Sequence, residues 1–414
     1  MKKGQSGGPT RREAMARAVA GVSITMFAAG AIGAEPKAAE PKPKEFTRKL
    51  KIGLIGCGGR GNWIAKLFQQ HGGYELHAVA DYFEPAARNS AKALGVDPAR
   101  CFSGLAGYKR MLDSGVEAVI VIDVPYFYPE QGKAAIEAGV HVYMAKPVAT
   151  DVPGVLAIEA AGKLATQKKL CFLVDYQLPL DPSNIEVATR VREGAIGPIA
   201  HIISYGFTGM WGDPPRGKTI ENLLRGGAWL SHVPLGGDGI VAYDIHIIDA
   251  VQWLMGRRPV VACGFSRTCR PKPNGDRTDC LGVVFEYEDK VLWTHITQTL
   301  ANEADAASLT ASFYGTSATA RLAYWGKCYV RGGPKHFVKD AGSVYDQGAI
   351  RNIADFYACI TEGRFDNPTV ARAVDGTLTA ILGREAAARR RYMTMDELLK
   401  ENKKLEVDLS GLKA

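Results

Sequence analysis

The sequence has eight cysteines in 414 residues but no CxxC pair and no Cys/His cluster at zinc spacing. That absence excludes the common structural zinc modules and a thioredoxin-like redox motif, and no metal is expected. The thiols at 57, 101, 171, 263, 269, 280, 328 and 359 read as ordinary structural residues, with a bridge between Cys263 and Cys269 left open. Strong charge of one sign is also missing. The net charge is +8, and five Lys/Arg against one Glu in the first 34 residues leave about +4 for the remainder. This is too mild to indicate a nucleic-acid partner. Beyond those 34 residues no apolar run is long enough to cross a membrane, so no stable span is expected in a mature form. What is present is the composition of a soluble globular chain, 46% hydrophobic and 23% charged, long enough for two domains.

The first 34 residues read as an address. Lys2, Lys3 and the pair Arg11-Arg12 precede a weakly apolar stretch from Ala14 to Ala34 that ends in small residues. A basic region, a short apolar region and a small-residue exit make a secretory signal, and paired arginines point to the twin-arginine route. A single membrane anchor is the alternative. Residues 35–48 open with EPKAAEPKPK, a linker rich in proline and charge. The expected location is periplasmic or secreted. A cofactor scarce outside the cytoplasm must be loaded before export, and a route that carries folded cargo allows this.

A short apolar strand, Leu50 to Ile55, runs into Gly56-Cys57-Gly58-Gly59-Arg60-Gly61, a full G-x-G-x-x-G, and then into a helical stretch from Asn62 to Gln70. Gly56 permits the tight turn, Gly58 and Gly59 let backbone approach a pyrophosphate, and Gly61 lets helix and strand pack closely. The helix N-terminus adds free N–H groups and partial positive charge. A second strand ends in Asp81, twenty residues after Gly61. An acid there accepts hydrogen bonds from ribose hydroxyls, which favours NAD. Arg60 and Arg88 leave NADP open. Strands and helices then alternate through 116–174, which predicts a parallel, doubly wound sheet over residues 49–175. Ligands in such sheets sit at the carboxyl ends of strands, where Lys146 and the Asp123-Val124-Pro125-Tyr126 turn lie.

GLIGCGGRG, AVADYFEPAARNSAKALG, EAVIVIDVPYFYPEQGKAAIEAGVHVYMAKP, GGDGIVAYDIHIIDAVQWLMG and DFYACITEGRFDNPTVARAVDGTLTAILGREAA together resemble the glucose-fructose oxidoreductase/inositol dehydrogenase family (Gfo/Idh/MocA). The resemblance covers roughly residues 49–400. It implies a Rossmann domain followed by an α+β domain with a large open, mainly antiparallel sheet. The sequence agrees, because beyond Ile199 alternating strands take over (HIISYGF, VVACGFSR, LGVVFEYED, KVLWTHITQTL, SLTASFYG, ATARLAY). Helices are expected at Tyr243–Leu254, near 350–361 and at 370–391, so the second domain spans 176–400 and a tail 401–414. The family also implies NAD(P)-dependent chemistry on a carbinol of a sugar, inositol or related polyol, and a homo-oligomer built through the open sheet. It places a nicotinamide-contacting lysine at Lys146, an acid/base histidine at His246 and a following acid at Asp249.

The chemistry fits these residue types. Imidazole titrates near neutrality and suits the hydroxyl proton, and an ammonium in a dry site suits the oxygen that gains charge. Helical spacing puts Ala242, His246 and Asp249 on one face, so Asp249 is expected to orient the imidazole, and Asp244 points elsewhere. Tyr126, Tyr128, Gln177, Trp211 and Asp244 are candidate substrate residues. Two departures stand out. The Glu-Lys-Pro of the family is Ala145-Lys146-Pro147 here, and the aspartate that many relatives carry four residues before the histidine is Ala242. Lys146 has therefore lost the partners that orient it. Three readings follow: a sugar or polyol oxidoreductase, a glycoside-cleaving enzyme with tightly held NAD, and a non-catalytic binding protein on the same fold.

Overall fold

The computed structural model describes residues 46–209, 213, 215, 219–300 and 309–414. The expected signal segment, most of the linker and Trp211 lie outside the described residues. Within them the first sheet has six parallel strands: β1 (Leu50–Ile55), β2 (Tyr74–Asp81), β3 (Cys101–Ser103), β4 (Ala118–Val121), β5 (His141–Ala145) and β6 (Phe172–Asp175). Their spatial order is β3-β2-β1-β4-β5-β6, the dinucleotide-binding order with its crevice between β1 and β4. All four residues of β4 are fully buried, as expected of a central parallel strand with helices on both faces. The helix Gly59–His71 buries Ile64, Ala65 and Phe68 against this sheet.

The second sheet holds nine strands: β7 (Ile199–Thr208), β8 (Val261–Arg267), β9 (Cys280–Glu286), β10 (Leu292–Thr299), β11 (Leu309–Gly315), β12 (Thr319–Ala323), β13 (Lys327–Arg331), β14 (Phe337–Asp340) and β15 (Met393–Thr394). It is antiparallel except where β7 and β10 run parallel. The fold is the expected one: a doubly wound parallel domain followed by an α+β domain with a large, mainly antiparallel sheet. The last three strands carried no clear alternation in the sequence. The chain then turns back. The helix Val344–Glu362 packs Ile353 and Phe356 into the first sheet's core, and Pro368–Arg389 runs buried between β8–β9 and the helix Val152–Gln167.

The expected helix Tyr243–Leu254 is present but begins two residues later, and Ala242 does not share it. Gly239–Ala242 is one turn, and the long helix starts at Ile245 with Asp244 as its N-cap. All eight cysteines are free; Cys269 lies 4.0 Å from Cys280 between sulfurs, and Cys171 meets Cys359, so the expected alternative of a Cys263–Cys269 bridge is not formed. Cys263 lies exposed in β8, opposite Val284 of β9. Among the described residues no helix is long and apolar enough to cross a membrane, and no His/Cys/Asp/Glu group could hold a metal.

Candidate active site

At the end of β1, Gly56 has φ +94°, and a Cβ there would sit 2.6 Å from the Ile122 carbonyl. A Cβ on Gly61 would lie 1.9 Å from the Gly56 carbonyl. These two glycines are therefore required by packing alone. Gly58 and Gly59 differ: nothing lies within 4 Å of a Cβ added to either. Gly58 is the N-cap of the following helix and has no side chain to close it, so the first-turn N–H groups face open space. Asp81 completes the turn. Its Oδ2 accepts from the Cys57 N–H and its Oδ1 from the Phe83 N–H, each at 2.8 Å. Burial raises its pKa, while these two N–H groups act the other way.

A cavity of about 880 Å³ opens over this turn, lined by Gly56, Gly58, Gly59, Arg60, Gly61, Asp81 and Val124 among others. That size lies within the range of roughly 300–1,000 Å³ usual for ligand pockets. An open glycine cradle at a helix N-terminus, with a carboxylate at the end of the neighbouring strand, fits the pyrophosphate and ribose of NAD. Pro125 is buried behind Val124 and is not a wall of the cavity. Both arginines are paired within the protein. Arg60 turns toward β6, bonding Asp175 at 2.9 Å and the Tyr345 hydroxyl, close to the stacked rings of Trp63 and Tyr345. Arg88 pairs with Glu84 one helical turn away and is not a cavity wall.

Sequence reasoning missed the outer wall. Tyr82 and Phe83 face the loop Leu224–Gly227 and Trp229 across the cavity, and Leu409 of the tail also lines it. Arg225 stacks its guanidinium 4.3 Å over the Phe83 ring. Gly226 and Gly227 both have positive φ, which lets the loop bend there. The paired glycines beside Trp229 were the available signal. The tail gave none, yet it is pinned: Leu405 N–H donates to Asp151 Oδ2 at 2.8 Å, and the Lys413 carbonyl accepts from Leu105 N–H at 2.9 Å.

Lys146 and His246 lie beyond this cavity, not on its wall. Lys146 follows β5 and donates to the Ala242 carbonyl at 2.7 Å. Burial brings its pKa down to about 7; Arg60 adds to this, and Asp175 and Asp244 oppose it. His246 is buried, and its pKa is pushed well below the usual value by burial, then by Lys146 and Arg60. The imidazole is therefore neutral at neutral pH. Its Nδ1 lies 2.8 Å from the Tyr324 hydroxyl, which lies 2.8 Å from Gln177 Oε1. Gln177 Nε2 donates to the Asp175 carbonyl, which fixes the amide orientation. Because Oε1 can only accept, Tyr324 gives it its proton and receives one from Nδ1–H. His246 Nε2 is left with a lone pair, the form a proton acceptor needs.

Asp249 does not orient His246. Its Oδ1 accepts from Arg372 Nε at 2.6 Å, because the helix Pro368–Arg389 packs on that side. Burial nonetheless raises its pKa to about 6. Asp244 points away from the imidazole as expected, but it is fully buried and bonds His295 and Thr297 of β10, so it does not face substrate. Gln177 acts through Tyr324. Tyr126 packs against Phe127 and the tail residue Val407, and Tyr128 is a core side chain; neither offers a stacking face.

Residues 50–176 match the NAD-binding Rossmann-fold domain of the GFO/IDH/MocA oxidoreductases, and residues 190–395 match that family's C-terminal α/β domain. Myo-inositol dehydrogenase Hyg17 of Streptomyces leeuwenhoekii is 27% identical over 224 residues, 53% of this chain and 61% of that protein. Glycosyl hydrolase family 109 protein 3 of Phocaeicola vulgatus is 27% identical over 234 residues, 50% of this chain and 40% of that protein. The alignments thus span less than two thirds of these curated relatives. A solved levoglucosan dehydrogenase in complex with NADH and L-sorbose has the same fold, with a TM-score of 0.70 at 18% identity over 84% of this chain and all of that one. With its open glycine cradle, the acid at 81 and both matched domains in sequence order, the chain belongs to the GFO/IDH/MocA family of NAD-binding oxidoreductases.

Proposed function

We propose that this protein oxidises or reduces a carbinol of a sugar, inositol or related polyol. NAD, when bound, supplies the hydride-accepting nicotinamide. His246 Nε2 takes the hydroxyl proton, and Lys146 Nζ donates to the same oxygen as charge grows on it. General-base help of this kind is worth about 10²–10⁴-fold. The observation that carries this reading is the hydrogen-bond chain from Gln177 through Tyr324, which leaves His246 neutral with its lone pair on Nε2, in the field of Lys146.

The likeness to a glycosyl hydrolase family 109 protein favours a second reading, in which tightly held NAD would supply hydride chemistry at one sugar carbon with the hydride returned, while the aglycone is eliminated and water takes its place. We further propose that residues 1–34 export the folded, loaded protein by the twin-arginine route, and that the mature form is a homo-oligomer. One experiment addresses the chemistry and the export together. Protein recovered from the exported fraction is analysed by native mass spectrometry for retained NAD, then screened against sugars, polyols and glycosides while NADH and bond cleavage are both followed. Net NADH that disappears in Lys146→Ala supports the first reading, and cleavage without net NADH supports the second. Failure to retain or rebind any nucleotide removes both, and absence from the exported fraction removes the export proposal.

A further inference from the structure

Two thiols, Cys269 and Cys280, face one another outside the site already described, their sulfurs 4.0 Å apart. Cys269 lies just past the end of β8 and is exposed; Cys280 opens β9 and is half-buried. Rotation of the two side chains has to close that gap to the roughly 2 Å of a disulfide, because the backbone around them is already tied down. Asp279, the residue before Cys280, takes the Cys269 N–H on Oδ2 at 2.6 Å and the Arg270 N–H on the same oxygen at 2.9 Å. Its own N–H donates to the Arg267 carbonyl at 3.0 Å. The buried Arg270 guanidinium lies 2.8 Å from its Oδ1. The other thiols are placed differently. Cys263 is exposed but stands opposite Val284 across the strands, and Cys171, which meets Cys359, is buried.

The chain between the two thiols, residues 270–279, is a brace. Its far side grips the segment that follows Trp229, a wall of the dinucleotide cavity. The Val233 N–H donates to Asp276 Oδ1 at 2.7 Å, the Arg277 N–H to the Ser231 carbonyl at 3.2 Å, and the Thr278 hydroxyl to Asp238 Oδ2 at 2.9 Å. The Arg277 guanidinium, fully buried, donates to Thr299 Oγ1 of β10 at 2.6 Å. A crosslink at the root of this loop restricts the local openings by which it would peel away from the wall.

We propose that Cys269 and Cys280 are a redox clasp, closed by thiol–disulfide exchange with an external organic disulfide and reopened by a thiol. Cys269, the exposed partner, attacks as thiolate. The external S–S bond breaks, one thiolate leaves, and a mixed disulfide forms on Cys269. Cys280 then gives up its proton and attacks the Cys269 sulfur; the Cys269–Cys280 bond forms and the second external thiolate leaves. Both thiol protons end on the released thiols, so the pair is oxidised by two electrons and the external disulfide is reduced by two. Burial, then the neighbouring Cys269, pushes the Cys280 thiol up. The open pair is thus not held as a stabilised thiolate, which favours the closed form. The exchange needs only these two sulfurs and is independent of the hydride chemistry proposed above.

The test uses the full chain without nucleotide. The protein is equilibrated in glutathione buffers from reduced to oxidised, free thiols are alkylated, and tryptic peptides are read by mass spectrometry. Arg270 and Lys272 each precede proline, so trypsin leaves Cys269 in Thr268–Arg277 and Cys280 in Thr278–Lys290. These two peptides are expected joined in the oxidised buffer, and separate and alkylated in the reduced one. Hydrogen exchange of the 270–279 amides should slow about tenfold on closure, and Cys269→Ser in the oxidised buffer should show neither link nor slowing. Both thiols alkylated in the oxidised buffer, glutathione retained on Cys269, or a link from either thiol to Cys263 overturns the pairing. A link that leaves exchange in 270–279 unchanged overturns the clasp. Should Cys269→Ser not fold, reduction of the linked wild type supplies the same comparison.

Discussion

His246 draws its protonation state from residues far away in sequence. Tyr324 lies 78 positions on, and Gln177 is 147 positions from Tyr324. Replacing Tyr324 by Phe leaves Nδ1–H buried without an acceptor and frees the tautomer. We expect kcat to fall about tenfold with KM little changed, as befits loss of part of a general-base effect. The pH profile has a defined sign. Under the proposed mechanism His246 acts in its neutral form and Lys146 in its protonated form, and because the His246 pKa is depressed, activity persists well to the acid side. Lys146 must be protonated, and with a pKa of about 7 it loses its proton as pH rises through neutrality. Steady-state kinetics should therefore show an alkaline limb near pH 7 that Lys146→Arg removes. A wild-type profile still rising beyond pH 9 would contradict this assignment. Lys146 and His246 were legible because each sits in a motif. Tyr324 was not, because a tyrosine closing a strand carries no local mark of the histidine it meets. Asp249 was misread because a spacing of three fixes the helix face a residue shares, not the neighbour that reaches it first, which is Arg372.

At the scale of elements, the glycine turn was readable because its spacing combines two steric demands, Gly56 against the Ile122 carbonyl and Gly61 against the Gly56 carbonyl, with an open backbone at Gly58 and Gly59. The separation of Ala242 from the helix Ile245–Met255 was not: the apolar residues on both sides read as one helix, while burial of Asp244 beside β10 is a tertiary effect. The tail was opaque for another reason. It is polar and aperiodic, and its order comes from contacts made elsewhere, through Leu405 to Asp151, Lys413 to Leu105, and Val407 and Leu412 among Tyr82, Phe83 and Tyr126. Together with the loop Leu224–Gly227 it narrows the mouth of the dinucleotide cavity. Deleting residues 402–414 should therefore leave the two sheets folded but speed NAD release about tenfold, the equivalent of roughly 1.4 kcal/mol. Stopped-flow release of NADH, followed by its fluorescence, measures this, and an unchanged release rate would relegate the tail to packing.

At the scale of the molecule, one surface is out of keeping with the rest. In the second sheet Phe265, Gly282 and Ile296 stand side by side across β8, β9 and β10, with Cys263, Val284 and Thr294 in the row beside them. Phe265 is 61% exposed, Val284 42%, Leu292 45% and Ile296 38%. The inward face of the same strands carries Leu281, Val283, Phe285 and Trp293, all buried. The sequence showed this alternation, but alternation alone could not say that the outward face would also be apolar across three neighbouring strands. Apolar side chains clustered in this way mark an interaction surface. Covering the part of each that is still exposed against a second copy is worth about 1 kcal/mol, and four per protomer offset part of the entropy of association. A two-fold pairing satisfies the face with its own image and needs no other partner. Light scattering at micromolar concentration should find a dimer or a higher even-numbered assembly. Phe265→Asp combined with Val284→Asp should convert it to monomer while retaining NAD, because both side chains point away from the cofactor domain's core. A monomeric wild type at that concentration would leave the exposed strands without their proposed partner.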